Sequence, residues 1–230
     1  MLSPDELSAI YLSAKVASFA TIISLPFAVG LAWGLARYDF KLKFIVEALL
    51  QMPLVLPPVV LGYLLLVCFG QQGLFGQYLQ HLGISLGFNW KGAVLASIIV
   101  AFPLMVQPIR LSFQMINRQL EQIAGSLGVP PYKVFLSVSL PLALPGMMIG
   151  SILCFSRSLG EFGATITFVG NIPSETRTVP IAIYSLLQQP EGELMAMRLV
   201  VLSLVLAFSA LLANYFILQH YQKRLGGESC

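Results

Sequence analysis

A chain of 230 residues that is 57% hydrophobic and only 10% charged, with a mean hydropathy of +0.83, has too few charges to solvate a globular surface. This excludes a soluble domain and makes it an integral membrane protein. The net charge of +3 comes from 13 Lys and Arg scattered along the chain, with no run dense enough to track a phosphate backbone, so no nucleic acid is expected as a partner.

Taken from its start, the chain carries Asp5 and Glu6 where a signal peptide would have a basic n-region, which predicts that the opening residues are not a cleaved leader. Five segments are apolar over the roughly 20 residues that a bilayer-crossing helix needs. They lie near 16–36, 48–69, 92–110, 142–163 and 199–219, and the fold class expected is an all-α membrane protein, a polytopic helical bundle of five predicted transmembrane helices forming one domain over 1–230. Prolines punctuate them. Pro53, Pro57 and Pro58 in the second remove backbone donors and should kink or break the helix entry. Pro103 and Pro108 fall inside the third. Breaks of this kind are tolerated in lipid only where protein or a water-lined cavity satisfies the freed carbonyls, which favours a bundle lining a path.

Between the third and fourth spans the sequence turns polar, NRQLEQIAGSLGVPPYKVFLSVSLP over 117–141. Leu120, Ile123, Ala124 and Leu127 fall at i, i+3, i+4 and i+7, the apolar stripe of a short amphipathic helix. Gly128 ends it, Pro130 and Pro131 turn the chain, and Pro131 opens a second short helix with Val134, Phe135 and Val138 as its stripe. This helix–turn–helix either lies on lipid headgroups or presents a helix to a partner's groove.

In the fourth span, Arg157 and Glu161 stand four apart, close enough to pair on one helix face. Ionisable groups at membrane depth face a bundle interior or a cavity. The pair is therefore either a structural ion pair or part of a path or gate. Beyond it come Thr165, Thr167, Asn171 and Arg177, then an apolar run from Val179 to Leu187 that is too short to span and reads as a re-entrant or interfacial helix.

Orientation follows from the positive charges. With the 36–48 loop inside, Arg37, Lys41, Lys43, Arg110, Arg118, Lys133, Lys223 and Arg224 are cytoplasmic, while Lys15, Lys91, Arg177 and Arg198 are external or at the edge. The N-terminus is then outside, Cys230 inside, and 70–91 and 164–198 are external loops. Cys68 and Cys154 sit in apolar stretches and Cys230 stands last, a spacing that suggests neither a disulfide nor a metal site. A serine nucleophile needs a base within reach, but His81 and His220 both fall outside the spans, which disfavours an intramembrane enzyme. No catalytic residue and no cofactor is expected on this chain. It has no G-x-x-x-x-G-K-[ST] to cradle a nucleotide.

The 117–141 stretch resembles the cytoplasmic motif of ABC importer permeases, Glu-Ala-Ala, three residues, Gly, nine residues, then Ile-x-Leu-Pro. Here Gln122-Ile123-Ala124 is followed by Gly128 and then by Val138-Ser139-Leu140-Pro141. Gln122 stands where Glu is usual, with Glu121 one place earlier, and Ile123 replaces an Ala. The resemblance implies a type I ABC importer permease fold whose coupling helix docks on a cytoplasmic ATPase, with Glu121, Gln122, Ala124, Gly128, Leu140 and Pro141 as the coupling residues. A channel has no use for such a dock.

Over nearly its full length the chain resembles the permease subunit of molybdate ABC importers, through LVLPPVVLGYLLL (54–66), SIIVAFPLMVQPIR (97–110) and RSLGEFGATITFVGNIPSETRTVP (157–180). The element Leu159 to Gly163 is shared with sulfate permeases and marks the oxyanion class, while the 171–180 loop points to molybdate or tungstate. The resemblance implies an inner-membrane homodimer, two cytoplasmic ATPase subunits and an external solute-binding protein. Arg157, Glu161, Thr165 and Thr167 are then path or gate candidates, and Asn171 and Arg177 contacts for the binding protein.

Overall fold

The computed structural model describes residues 3–83, 85–190 and 192–225, and every regular element among them is helical. Helix α1 runs from Pro4 to Arg37, about 50 Å at 1.5 Å per residue. It starts well before the expected span because Ser3 and Glu6 form a capping box: Ser3 Oγ accepts the Glu6 amide at 3.2 Å and the Glu6 carboxylate accepts the Ser3 amide at 2.7 Å. Two otherwise orphaned donors are satisfied, and Pro4 occupies the first turn where no donor is missed.

The second expected span is broken in two. Helix α2 (Lys43–Val55) and helix α3 (Pro58–Phe69) meet at 112°. Pro53 is absorbed inside α2, whereas Pro57 and Pro58 make the corner, with Pro58 in the first turn of α3. The expected break is present, and it divides the segment rather than bending its entry. A short helix, α4 (Leu74–His81), follows in the connection to α5 (Trp90–Met115).

Helix α5 is the centre of the fold. Pro103 and Pro108 lie within it without ending it, and Met105, Val106, Ile109 and Phe113 are fully buried. Two of its neighbours approach through small residues. On α1 the buried face carries Ala9, Ala17, Ala20, Ala28, Ala32 and Ala36. On α9 (Leu144–Leu159) the sequence Gly146-Met-Met-Ile-Gly150 lies against α5: a Cβ at Gly150 would stand 2.6 Å from the Met105 carbonyl oxygen, and one at Gly146 would collide with Pro108 and Ser112. Small residues four apart let two helix backbones close up where lipid supplies no hydrophobic drive. That small-xxx-small pair is legible in the sequence, although the expectations above do not use it.

Between α5 and α9 the chain forms α6 (Arg118–Ser126), α7 (Pro131–Val134), a π-helical turn over Phe135–Ser139 and α8 (Leu140–Leu142), with a 68° bend before α9. After α9 come α10 (Gly163–Val169), α11 (Val179–Leu187) and α12 (Glu193–Leu225). The expected fourth span, 142–163, needs correction. Its helix ends at Leu159, and Gly160 and Glu161 lie in a break before α10. Arg157 and Glu161 therefore do not share one continuous helix.

Two single helices, Pro4–Arg37 and Trp90–Met115, are long and apolar enough to cross a membrane, and counting each bent pair as one span brings the number to four. The remaining expected segment, 199–219, falls in α12, a helix of 33 residues. Large apolar side chains such as Ile22, Phe27, Leu64, Leu153 and Phe208 are exposed along the helices, as expected where lipid or another membrane subunit is the solvent. Expected orientation markers Cys230 and the last few residues lie outside the described part of the chain.

Lys15 Nζ sits 3.7 Å over the Trp90 ring, joining the early turns of α1 and α5. Ala36 at the end of α1 shares one cluster with Phe113 and Ile116 at the end of α5. The two helices thus run parallel, and the far ends carry Arg37, Lys43 and Arg110. These three pair with Glu121, Asp39 and Glu47 at 2.8, 2.6 and 2.7 Å.

Candidate functional site

Three groups of residues singled out by sequence occupy three levels of the bundle. At the end where α1 and α5 finish, Asn117 caps α6 by accepting the Gln119 amide at 3.0 Å. The helix closes at Leu127, and Gly128 then takes φ +80°, the left-handed conformation that a Cβ disfavours. Its amide donates to the Gly125 carbonyl at 3.0 Å, and the Val129 amide donates to Ala124 at 3.4 Å. This wrapping turn aims the chain into Pro130 and Pro131, the latter in the first turn of α7 as expected. Leu120, Ile123 and Leu127 are 46%, 59% and 77% exposed, so the apolar stripe of α6 faces away from its own bundle.

Two adjacent side chains of α6 part company. Gln122 is exposed. Glu121 turns inward, where its Oε1 accepts bonds from Arg37 Nη2 at 2.8 Å, Arg37 Nε at 3.2 Å and Ser139 Oγ at 2.6 Å. Ala124 is half-buried, and Leu140 and Pro141 form the short helix after the π turn. Beside this end, Lys43 donates to Asp39 and its charge holds the Asp39 carboxyl below the usual carboxylate range.

At the second level, Arg157 is in the last turn of α9 and Glu161 lies just beyond it. Glu161 Oε2 is 2.7 Å from Arg157 Nη1, while its Oε1 accepts the Ala164 amide at 2.9 Å. The carboxylate is thereby both an ion-pair partner and the cap of α10, satisfying a donor that the helix start leaves free. Burial is unequal: the Glu161 side chain is 2% exposed and that of Arg157 30%. Thr165 is buried, and the Thr167 hydroxyl donates back to the Gly163 carbonyl at 2.8 Å.

At the opposite end from α6, residues 170–178 form an ordered loop. Gly170 and Ser174 have positive φ. Thr176, fully buried, accepts the Ile172 amide at 2.9 Å and donates to the Gly170 carbonyl at 3.3 Å. Asn171 is the bridge between its neighbours: Oδ1 accepts from Arg177 Nε at 2.7 Å, and Nδ2 donates to Ser185 Oγ of α11 at 2.7 Å. The loop is fastened to α1 where Ser13 Oγ accepts the Val179 amide at 2.8 Å. Arg177 borders a small polar cavity with Ser3, Asp5, Glu6 and Gln189.

Sequence reasoning singled out Asn171 and Arg177 and gave no role to Thr176 and Ser13, whose hydrogen bonds fasten this loop. It counted Arg37 only as a charge and passed over Ser139. A threonine in a loop and a serine in a span carry no local mark of the amide they will meet.

Residues 24–225 match the family described as "Binding-protein-dependent transport system inner membrane component". The chain is 48% identical over 227 residues to the "Molybdenum transport system permease protein ModB" of Escherichia coli (strain K12), covering 98% of this chain and 99% of the relative. The protein of the same name from Haemophilus influenzae is 50% identical over 222 residues, 96% of this chain and 97% of its own. Among solved structures, a subunit of the "bacterial alginate ABC transporter in complex with alginate pentasaccharide-bound periplasmic protein" has a TM-score of 0.73 at 16% identity, covering 99% of this chain and 82% of that one.

Proposed function

The chain belongs to the binding-protein-dependent transport system inner membrane components, and from that membership we propose that it is the membrane-spanning subunit of an ATP-driven importer of molybdate, with tungstate as an equivalent cargo. The observation that carries the reading is the 48% identity over 98% of the chain. The aligned stretch takes in α6, the Arg157–Glu161 break and the 170–178 loop as well as the spanning helices. The chain is a multi-pass membrane protein and a permease, and the chemistry of ATP falls to separate subunits.

The assembly we propose contains two copies of this chain around one path, two cytoplasmic ATPase subunits and an external solute-binding protein. Too few spans are available in one copy to enclose a path for a hydrated dianion. The exposed stripe of α6, Leu120, Ile123 and Leu127, suits insertion into a groove of the ATPase, as amphipathic helices are received elsewhere. Ala124, Gly128, Leu140 and Pro141 shape this knob, and Gln122, free at the surface, is the polar contact to the partner. In this assembly the α6 end is cytoplasmic, since it collects Arg37, Lys41, Lys43, Arg110, Arg118 and Lys133, and the N-terminus is external. The 170–178 loop then faces the binding protein, with Arg177 held in place by Asn171.

The cargo sets the chemistry of the path. A tetrahedral dianion gives up water only to donors and positive charge, yet a path must bind weakly enough to release. Arg157 keeps part of its side chain exposed while buried Glu161 offsets its charge, a moderate attraction rather than a trap. Thr165 and Thr167 lie beyond the break and come to the path as it opens.

The test is reconstitution with the ATPase and binding protein in sealed vesicles. Molybdate and tungstate uptake should require ATP, with sulfate much slower. Sulfate uptake with molybdate ignored would refute the cargo and leave the importer standing, whereas failure to co-purify an ATPase would remove the importer itself.

A further inference from the structure

Helix α6 touches little of the bundle. It packs on α7 and the π-helical turn that follow it, and its apolar stripe points outward. One inward side chain leaves this knob for a membrane-crossing helix: Glu121, whose Oε1 receives Arg37 Nη2 at 2.8 Å and Nε at 3.2 Å. Arg37 is in the last turn of α1, where a positive charge also complements the helix's C-terminal dipole. The two residues are 84 positions apart. Their side chains are 9% and 20% exposed, so water screens the pair less than it would a surface bridge.

The same carboxylate oxygen receives Ser139 Oγ from the π-helical turn at 2.6 Å. One turn back along α1, Trp33 meets Phe135 of that π turn edge-on at 5.2 Å, and Phe135 in turn stacks on Phe113 of α5 at 6.1 Å. A π turn inside helical structure is a yielding register, and here it is clamped on both sides by contacts that lead to α1. A displacement of α6 thus reaches α1 through a charged, largely buried contact in which two Arg37 donors share Glu121 Oε1, and reaches α5 through the short Ile116–Asn117 connection and the stacked rings.

We infer that Arg37 is a positioning residue for transport, the joint through which Glu121 on α6 moves α1 when the ATPase subunits move. This rests on the importer reading above and adds to it the route by which force enters the membrane. Glu121 is then engaged within its own chain and is not the polar contact to the ATPase.

The experiment compares the unsubstituted complex with Arg37→Ala, Glu121→Arg and the exchanged pair Arg37→Glu/Glu121→Arg, reconstituted with ATPase and binding protein, and reads molybdate moved per ATP hydrolysed. Each single variant should hold its ATPase in normal amount while molybdate per ATP falls about tenfold, a usual size for coupling between sites, and the exchange should restore most of it. An Arg37→Ala complex that moves molybdate at the normal ratio overturns the inference, and so does one that loses its ATPase while remaining folded. A second measurement needs no change at Arg37: spin labels at the exposed positions Gln119 and Lys41 should keep one separation with and without nucleotide, because the joint moves as a unit. A separation that changes with nucleotide also overturns it. Failure of the importer reading has a different signature, the lack of ATP-driven uptake in the unsubstituted complex.

Discussion

Glu161 reaches back 2.7 Å to Arg157 across the end of α9 and forward 2.9 Å to the amide of Ala164, so one buried carboxylate holds both sides of a helix break. The two roles separate chemically. Glu161→Gln keeps an acceptor for the Ala164 amide but removes the charge, leaving Arg157 without its counter-ion. A loss of about 2 kcal/mol is expected, below the cost of breaking a fully buried pair because Arg157 is partly exposed. Glu161→Leu also removes the cap and should cost about 1 kcal/mol more. Thermal unfolding of the detergent-purified protein reads the difference, and equal midpoints for the two variants would show that the cap contributes nothing.

Gly128 holds φ +80° with open space where a Cβ would go, so its substitution tests backbone strain without a clash. Valine should cost about 1 kcal/mol or more there, and asparagine, which tolerates the left-handed region, much less. Gly128→Val should insert and assemble in the membrane yet lose ATPase association and transport, while Gly128→Asn keeps most of both. Full transport with valine in place would mean that the direction of α6 is indifferent to this turn.

The approach of α9 to α5 predicts a stability effect far from any site. A Cβ at Gly150 would lie 2.6 Å from the Met105 carbonyl oxygen, so Gly150→Leu must push α9 outward and should cost about 1–3 kcal/mol. Gly34→Ala on α1, with nothing within 4 Å, should change stability by less than about 0.5 kcal/mol. Matching losses at the two positions would contradict the packing described.

These cases show what was legible in the sequence. The α6 knob could be read almost residue by residue because its determinants are local: the stripe of Leu120, Ile123 and Leu127, Gly128 at the end of the helix, Pro131 at the next start. The apolar segments were legible because hydropathy needs no tertiary partner, and so were the prolines that divide α2 from α3. Glu161 misled the reading for a physical reason. Arg and Glu four apart look the same whether the helix continues between them or the acid folds back to cap a new one, and only the Ala164 amide distinguishes the two. Arg37 and Glu121, separated along the chain and joined only by folding, left no local signal at all. The motif spacing suggested a docking role for α6, which is proposed above, but not which of Glu121 and Gln122 faces inward.

The proposed sidedness rests on the charge distribution and is open to direct measurement. With Cys230 replaced by serine, a single cysteine at exposed Gln71 should react with an impermeant thiol reagent in intact cells, and one at exposed Gln122 only after the membrane is opened. Native Cys68 and Cys154 are half-buried and buried, which keeps the background low. Labelling of position 122 from outside would invert the orientation and remove α6 from the reach of a cytoplasmic ATPase.

The path itself is tested at Arg157, where a simple substitution would mislead. Arg157→Ala leaves the Glu161 carboxylate, 2% exposed, without its counter-ion, and a buried unpaired charge unfolds proteins for reasons unrelated to cargo. The informative variant is Arg157→Gln/Glu161→Gln, which removes both charges together and retains an acceptor for the Ala164 amide, so stability should fall less than in Arg157→Ala alone. If the partly exposed Arg157 side chain meets the dianion in transit, losing its charge forfeits charge-assisted bonds worth about 1.5–3 kcal/mol, and uptake should drop about tenfold or more while ATPase association is retained. Excess positive charge should also slow transport, because the anion is held too long. Glu161→Gln alone, with Arg157 uncompensated, should therefore bind molybdate more tightly in the path and release it more slowly. If the double variant carries molybdate at the normal rate, the pair serves only to join α9 to α10, and the charge that guides the anion lies elsewhere on the bundle.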